Sequence, residues 1–131
     1  MRSITDHQIN ECNEKISIDV IDEPGAGGAH HHYFICGFDA SGNPSADASC
    51  RDTTGVHLLF QNGPIAESVP NGITQEVLLA TVIDRLRCFQ KGPYSCRENA
   101  LALTKLEEAQ MWLQSRTRSR VARGVEGTHK V

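Results

Sequence analysis

The run TQEVLLATVIDRLRCFQKGPYSCRENALALTKLEEAQMWLQSRTRSRVARG, residues 74–124, holds one internal break, Gly92-Pro93, and the architecture follows from how that run divides. Thr74 is placed to accept a hydrogen bond from the first turn of a helix reaching about Gln90. Leu79, Val82, Ile83, Leu86 and Phe89 recur along it at three- and four-residue spacing, the pattern of one apolar face. Lys91-Gly92-Pro93-Tyr94 ends it. Ser95-Cys96-Arg97-Glu98 then reads as an S-x-x-E capping box with Ser95 as N-cap. The second helix runs through Ala100, Leu103, Leu106, Ala109 and Leu113 to about Arg123, with Gly124 as its left-handed stop. Two helices joined by so short a link fold back as an antiparallel hairpin. At 1.5 Å per residue they span roughly 25 Å and roughly 42 Å, so the second overhangs the first. Its overhang carries Trp112 and Leu113, which predicts that another copy of the chain covers them.

Upstream of residue 73 the character changes. Eight of the eleven glycines and four of the five prolines lie there, as in a chain of strands and turns. Ile16-Ser17-Ile18-Asp19-Val20 alternates at period two and is followed by the turn-rich stretch Asp22 to Gly28. Further strands are expected at His31 to Gly37 and Val56 to Gln61, with a long loop over Phe38 to Thr54 and a turn at Asn62-Gly63-Pro64. Ile65 to Val69 is a candidate returning strand. The fold class is therefore α+β: an N-terminal antiparallel β core over 1–73, then a long helical hairpin over 74–131 for oligomerisation and ligand binding.

At 131 residues the chain is too short for two independent catalytic domains. No apolar run approaches the roughly 18 residues of a membrane span. Five cysteines without a C-x-x-C pair and an N-terminus without an apolar signal core fit a reducing cytosol. His30-His31-His32 lies in an extended segment, where neighbouring side chains point to opposite faces, so no metal site is expected.

Charge is polarised along the chain. Through Asp84 there are three basic against twelve acidic residues; from Arg85 onward there are ten against four. Such asymmetry suits an anionic ligand on the basic half, contact between subunits, or simply a solvated basic helix. Arg116, Arg120 and Arg123 fall at i, i+4 and i+7, on one helical face, while Arg118 points elsewhere. A stripe of like charge becomes favourable against an anion, and the guanidinium fork matches phosphate oxygens; the bland alternative is a soluble helix end.

Gly25-Ala26-Gly27-Gly28 does not follow the phosphate-loop pattern of nucleotide hydrolases, and reads as a hairpin turn or an amide nest. Phe89 and Asn99 flank the bend. They bring an aromatic face, able to stack on a purine, near an amide able to pair with a base edge or a ribose hydroxyl; alternatively Phe89 closes the hairpin core and Asn99 is a first-turn polar residue.

These pieces together resemble a known family. Phe89 to Ala100 fits the bend FQ-x-GP-(F/Y)-x-C-x-EN-A, a leucine-patterned helix follows, and Arg120 to Thr128 gives the rare ending R-x-x-RGVEGT. The stretch is similar to the helical hairpin shared by two kinds of phage immune-evasion sponge, the first-described anti-Thoeris family and the anti-CBASS cyclic-nucleotide sponge. The preceding β half, with DEPGAGGAHHHYFI and FQNGPI, is that of the anti-Thoeris type. The resemblance implies dimers assembled into a hexamer, no cofactor and no catalysis. It implies a pocket for cyclic ADP-ribose isomers at Phe89 and Asn99, with Gly27, Gly28 and His31 from the β half. It also implies a separate site for cyclic trinucleotides at Arg116 and Arg120, to which the stripe adds Arg123. Partners are then cyclic ADP-ribose isomers, cyclic oligonucleotides and further copies of the chain, with no membrane and no DNA, in the cytoplasm of the infected bacterial host. Two rival classes stay open: an enzyme that degrades the cyclic signal, for which His30, His31 or Glu23 is a candidate base, and a protein-binding adaptor acting through the basic hairpin.

Overall fold

A computed structural model describes residues 1–9, 11–65 and 70–131, with Cys12 described by its backbone alone. In chain order the elements are β1 (Arg2–Ile4), α1 (Glu11–Glu14), β2 (Ser17–Val20), β3 (His32–Cys36), β4 (Gly55–Leu59), α2 (Gln75–Lys91) and α3 (Arg97–Ala122). They form an N-terminal sheet followed by a helical pair, the α+β class expected. The chain divides into two units, Met1–Asn62 and Gly63–Val131.

In the first unit the strands lie in the order β1-β2-β3-β4, every pair antiparallel. The period-two alternation of β2 decides which side chains meet. Val20 pairs with Tyr33 and Tyr33 with Leu58, while two positions back Ile18 pairs with Ile35 and Ile35 with Val56. One face is thus apolar. Tyr33 meets Phe60 edge-on, with centroids 5.6 Å apart. The other face holds Asp19, which accepts from Ser3 Oγ at 2.9 Å, and Phe34 against His57. Gly37 is compulsory at the end of β3: its φ is +97°, and a Cβ there would lie 1.9 Å from the Lys15 carbonyl oxygen.

The three expected strands of this half are present. Strand β1 and the one-turn α1 are additions, too short to carry a periodic signal. The segment Phe38 to Thr54 is a loop with one 3-10 turn, Ala40–Gly42, whose Asp39 accepts from the Ser41 amide. The candidate strand Ile65 to Val69 falls, beyond Ile65, outside the described residues.

In the second unit Thr74 caps α2, its Oγ1 accepting from the Val77 amide at 3.3 Å. At the far end Gly124 stops α3 with φ +72°. The Gly124 amide donates to Val121 and the Val125 amide to Arg120, the paired bonds of a Schellman turn. Helices α2 and α3 pack as a pair, tied by Gln110 Nε2 donating to the Glu76 carbonyl at 3.0 Å and by Arg87 to Glu107 at 2.6 Å. Ile83 is the buried centre of the apolar face, with Leu79, Leu86 and Phe89 half-buried, but Val82 is 45% exposed. Among the described residues only Val20 and Ile83 are fully buried apolar side chains. Met111, Trp112 and Val121 stand exposed on the part of α3 that continues past Gln110. No described helix is long and apolar enough to cross a membrane.

Candidate functional site

The bend between the helices is built by a side-chain bracket. Gln90 Nε2 donates to the Cys96 carbonyl, the Cys96 amide donates to Gln90 Oε1, and both distances are 3.2 Å. This clamp fixes Cys96 just outside the helix, so the N-cap is Cys96 and not Ser95: its Sγ accepts from the Asn99 amide at 3.4 Å. The N-cap expected at Ser95 therefore sits one residue on, and the Cys96 amide that the reciprocal arm of a capping box would take is held by Gln90 instead.

Phe89 is half-buried in the last turn of α2. It lines a cavity of about 360 Å3 with Arg85, Cys88, Gly92, Pro93 and Tyr94, and the Arg85 guanidinium carbon sits 5.0 Å from its ring centroid. Asn99 is half-buried in the first turn of α3. It does not line this cavity, and its side-chain amide makes no hydrogen bond among the described residues. The bend thus gathers an aromatic face, a cation and a phenol, with an unengaged amide at the start of the next helix. Arg85 and Tyr94 were missed by the sequence reading. Arg85 had a signal, since it precedes Phe89 by one helical turn.

The Arg stripe is real in geometry. Arg116, Arg120 and Arg123 line one cavity of about 270 Å3 together with Ser119 and Val131, and Arg118 is absent from it. The three cations are not equivalent. Arg116 is exposed and has no ion-pair partner among the described residues, while Arg123 Nη1 donates to the Val131 carbonyl at 2.6 Å. Arg120 is only 7% exposed, and its Nε meets Glu126 Oε2 at 3.2 Å. The anion set against the middle of the stripe is the chain's own.

Gly27, Gly28 and His31 lie in the first unit. Gly27 and Gly28 have φ of +72° and +78°, and a side chain on either would meet open space. The Gly25 amide donates to Ala29 and the Gly28 amide to Gly25, so the segment is a closed turn. Asp22 anchors its far side: its carboxylate accepts from the His31 amide at 2.9 Å and the His32 amide at 3.1 Å. The His31 amide holds the Asp22 carboxyl below the usual aspartate range, opposed by desolvation and assisted by His32. The three histidines part company. His30 Nδ1 meets the Asp22 carbonyl at 2.7 Å, His32 meets His57 on the sheet at 2.9 Å, and His31 is buried with Nδ1 unpartnered among the described residues. A Cβ on Gly25 would lie 3.2 Å from that nitrogen, whereas one on Gly27 or Gly28 would have nothing within 4 Å, so His31 lies against the start of the loop only. Among the described residues no three His, Cys, Asp or Glu side chains group as metal ligands.

Residues 54–118 match the hairpin domain of the Acb2/Tad1 family. Over 91 residues the chain is 50% identical to Thoeris anti-defense 1 of Bacillus phage SBSphiJ7, a stretch covering 68% of this chain and 64% of that protein. The matched stretch is thus just under two thirds of the relative's own length.

Proposed function

Residues 54–118 being a hairpin domain of the Acb2/Tad1 family, we propose that the chain is a phage immune-evasion sponge that captures cyclic ADP-ribose isomer signals of Thoeris defence and releases them unaltered. The observation that carries this reading is the bend cavity. Phe89 offers a stacking face, Arg85 a cation for the diphosphate and Tyr94 a hydroxyl; Asn99, outside the cavity in the first turn of α3, adds a side-chain amide with no hydrogen bond among the described residues. An aromatic and a guanidinium side by side suit a ligand that is purine on one side and pyrophosphate on the other. The 50% identity to a protein named for anti-Thoeris activity supports the same reading.

A second site, for CBASS cyclic trinucleotides, lies at Arg116, Arg120 and Arg123, supported by their shared cavity. A ring of phosphates is matched by several copies of the stripe, and exposed Met111 and Trp112 supply the surface through which copies assemble, as dimers within a hexamer. The protein acts in the cytoplasm of the infected host and performs no chemistry on its ligands.

Incubating the purified protein with cyclic ADP-ribose isomers or cyclic trinucleotides, washing, heat-denaturing and chromatographing the release tests this directly. A sponge returns intact ligand, an enzyme returns altered ligand, and an adaptor that works by protein contact retains none. Asn99→Ala should abolish retention of the cyclic ADP-ribose isomer while leaving the trinucleotide unaffected.

A further inference from the structure

Among the described residues Arg120 is the one buried arginine or lysine, and everything that holds it comes from the tail beyond α3. Nε donates to Glu126 Oε2 at 3.2 Å, and Nη2 donates to the carbonyls of Val125 at 3.0 Å and Thr128 at 3.1 Å. The Schellman turn at Gly124 returns the chain to the helix in time for these contacts, and Thr128 ties back through its amide and hydroxyl to the Val125 carbonyl. A guanidinium has five donors on three nitrogens. Nε and Nη2 are used, and Nη1 has no partner among the described residues.

We infer that the segment from Gly124 to Thr128 is a strap that presents Arg120 to an anionic ligand through Nη1 alone, with Glu126 as the positioning residue of the site. The inference rests on the reading of Arg116, Arg120 and Arg123 as a phosphate-binding stripe. Arg116 is an exposed side chain that pays rotamer entropy when it binds, whereas Arg120 is already fixed by three bonds. Glu126 therefore acts on the ligand through geometry, although its charge opposes an anion. The two roles have opposite signs: a residue that merely neutralised Arg120 would bind anion better once removed, and one that positions Arg120 would bind it worse.

Three variants separate them, read as dissociation constants for cyclic triadenylate with the cyclic ADP-ribose isomer as control. Glu126→Gln removes the charge but keeps an oxygen for Nε; Glu126→Asp keeps the charge but withdraws the oxygen by one methylene; Glu126→Ala removes both. Positioning predicts Glu126→Gln within about threefold of the parent or tighter, and Glu126→Asp and Glu126→Ala weaker by about tenfold or more, with the control within twofold. The Arg120 Nε–H resonance in the ligand-free protein should exchange slowly in the parent and in Glu126→Gln, and lose that protection in Glu126→Ala. If Glu126→Asp binds better than Glu126→Gln, if Glu126→Ala binds as well as the parent, or if the control falls in parallel, the strap has no positioning role. A parent that binds no cyclic triadenylate despite a protected Arg120 Nε–H overturns the phosphate-stripe reading itself, and the ligand role of the strap with it.

Discussion

The guanidinium carbon of Arg85 lies 5.0 Å from the centroid of the Phe89 ring, one turn back along α2. One face of a ring that lines the bend cavity is thus already held by a cation. A ligand carrying both a base and a diphosphate can take over both partners in one exchange: the base takes the ring and the phosphate keeps the guanidinium. A neutral aromatic ligand would have to displace the cation with nothing to offer it, so the pair favours a nucleotide over a bare base.

Phe89→Ala should therefore weaken capture of the cyclic ADP-ribose isomer on the order of 5- to 150-fold, the range of roughly 1–3 kcal/mol for stacking a base on an aromatic ring. Arg85→Ala should weaken it by a smaller factor, and its loss should shrink as salt rises, because its share is charge on phosphate. Retention measured at two salt concentrations checks both. An Arg85→Ala protein that retains as much isomer as the parent at low salt would remove Arg85 from the site.

Arg116 and Arg120 should behave differently when truncated. Arg116 is exposed and unpaired among the described residues, so Arg116→Ala should cost trinucleotide binding and leave thermal stability unchanged. Arg120→Ala strips the partner from Glu126 and from two carbonyls, and should also destabilise the fold by about 2 kcal/mol. Denaturation midpoints beside binding constants separate the effects. Equal midpoints for the two variants would mean that the tail contacts hold nothing.

How much of this was legible in the sequence depends on how far each signal reaches along the chain. The helices were readable because Thr74, the 3.6-residue spacing around Ile83, and Gly124 are local cues that agree. The start of α3 was misread by one residue because Gln90, six positions upstream, brackets Cys96, and no local motif encodes that reach. Strand β1 has too few residues to show alternation, and strand order depends on contacts between distant segments. The Arg stripe was visible as a spacing. That Arg120 is spent on the tail was not, since its partners are backbone carbonyls and a Glu beyond the helix end, where periodicity stops.

Trp112 is 67% exposed on α3, and Met111 beside it is 60% exposed. Burying a Trp removes roughly 150–250 Å2 from water, and the two thirds still exposed here are worth about 2.5–4 kcal/mol per copy at about 25 cal/mol per Å2. That is enough to decide association. Trp112→Glu should shift the protein to a smaller species in light scattering, with the helical circular dichroism retained. An unchanged molar mass would place the subunit contact elsewhere.

Asp22 sets the acid limit of the turn that carries Gly27 and Gly28. Its carboxyl is held below the ordinary aspartate range, first by the His31 amide, with desolvation opposing and the His32 amide adding to the hold. A lowered native value means that the unfolded chain takes up the proton more readily. The contribution is then fully present above about pH 3.9, the ordinary aspartate value, and is lost as pH falls through the native value. Asp22→Asn keeps one oxygen acceptor and removes the charge. The melting temperature of the parent should exceed that of Asp22→Asn at about pH 4.5, and the margin should close on further acidification. Asp39 and Asp47, also held low by serine contacts, are common to both proteins and cancel in the difference. A margin that persists unchanged at about pH 2 would mean that the Asp22 charge does not anchor the loop.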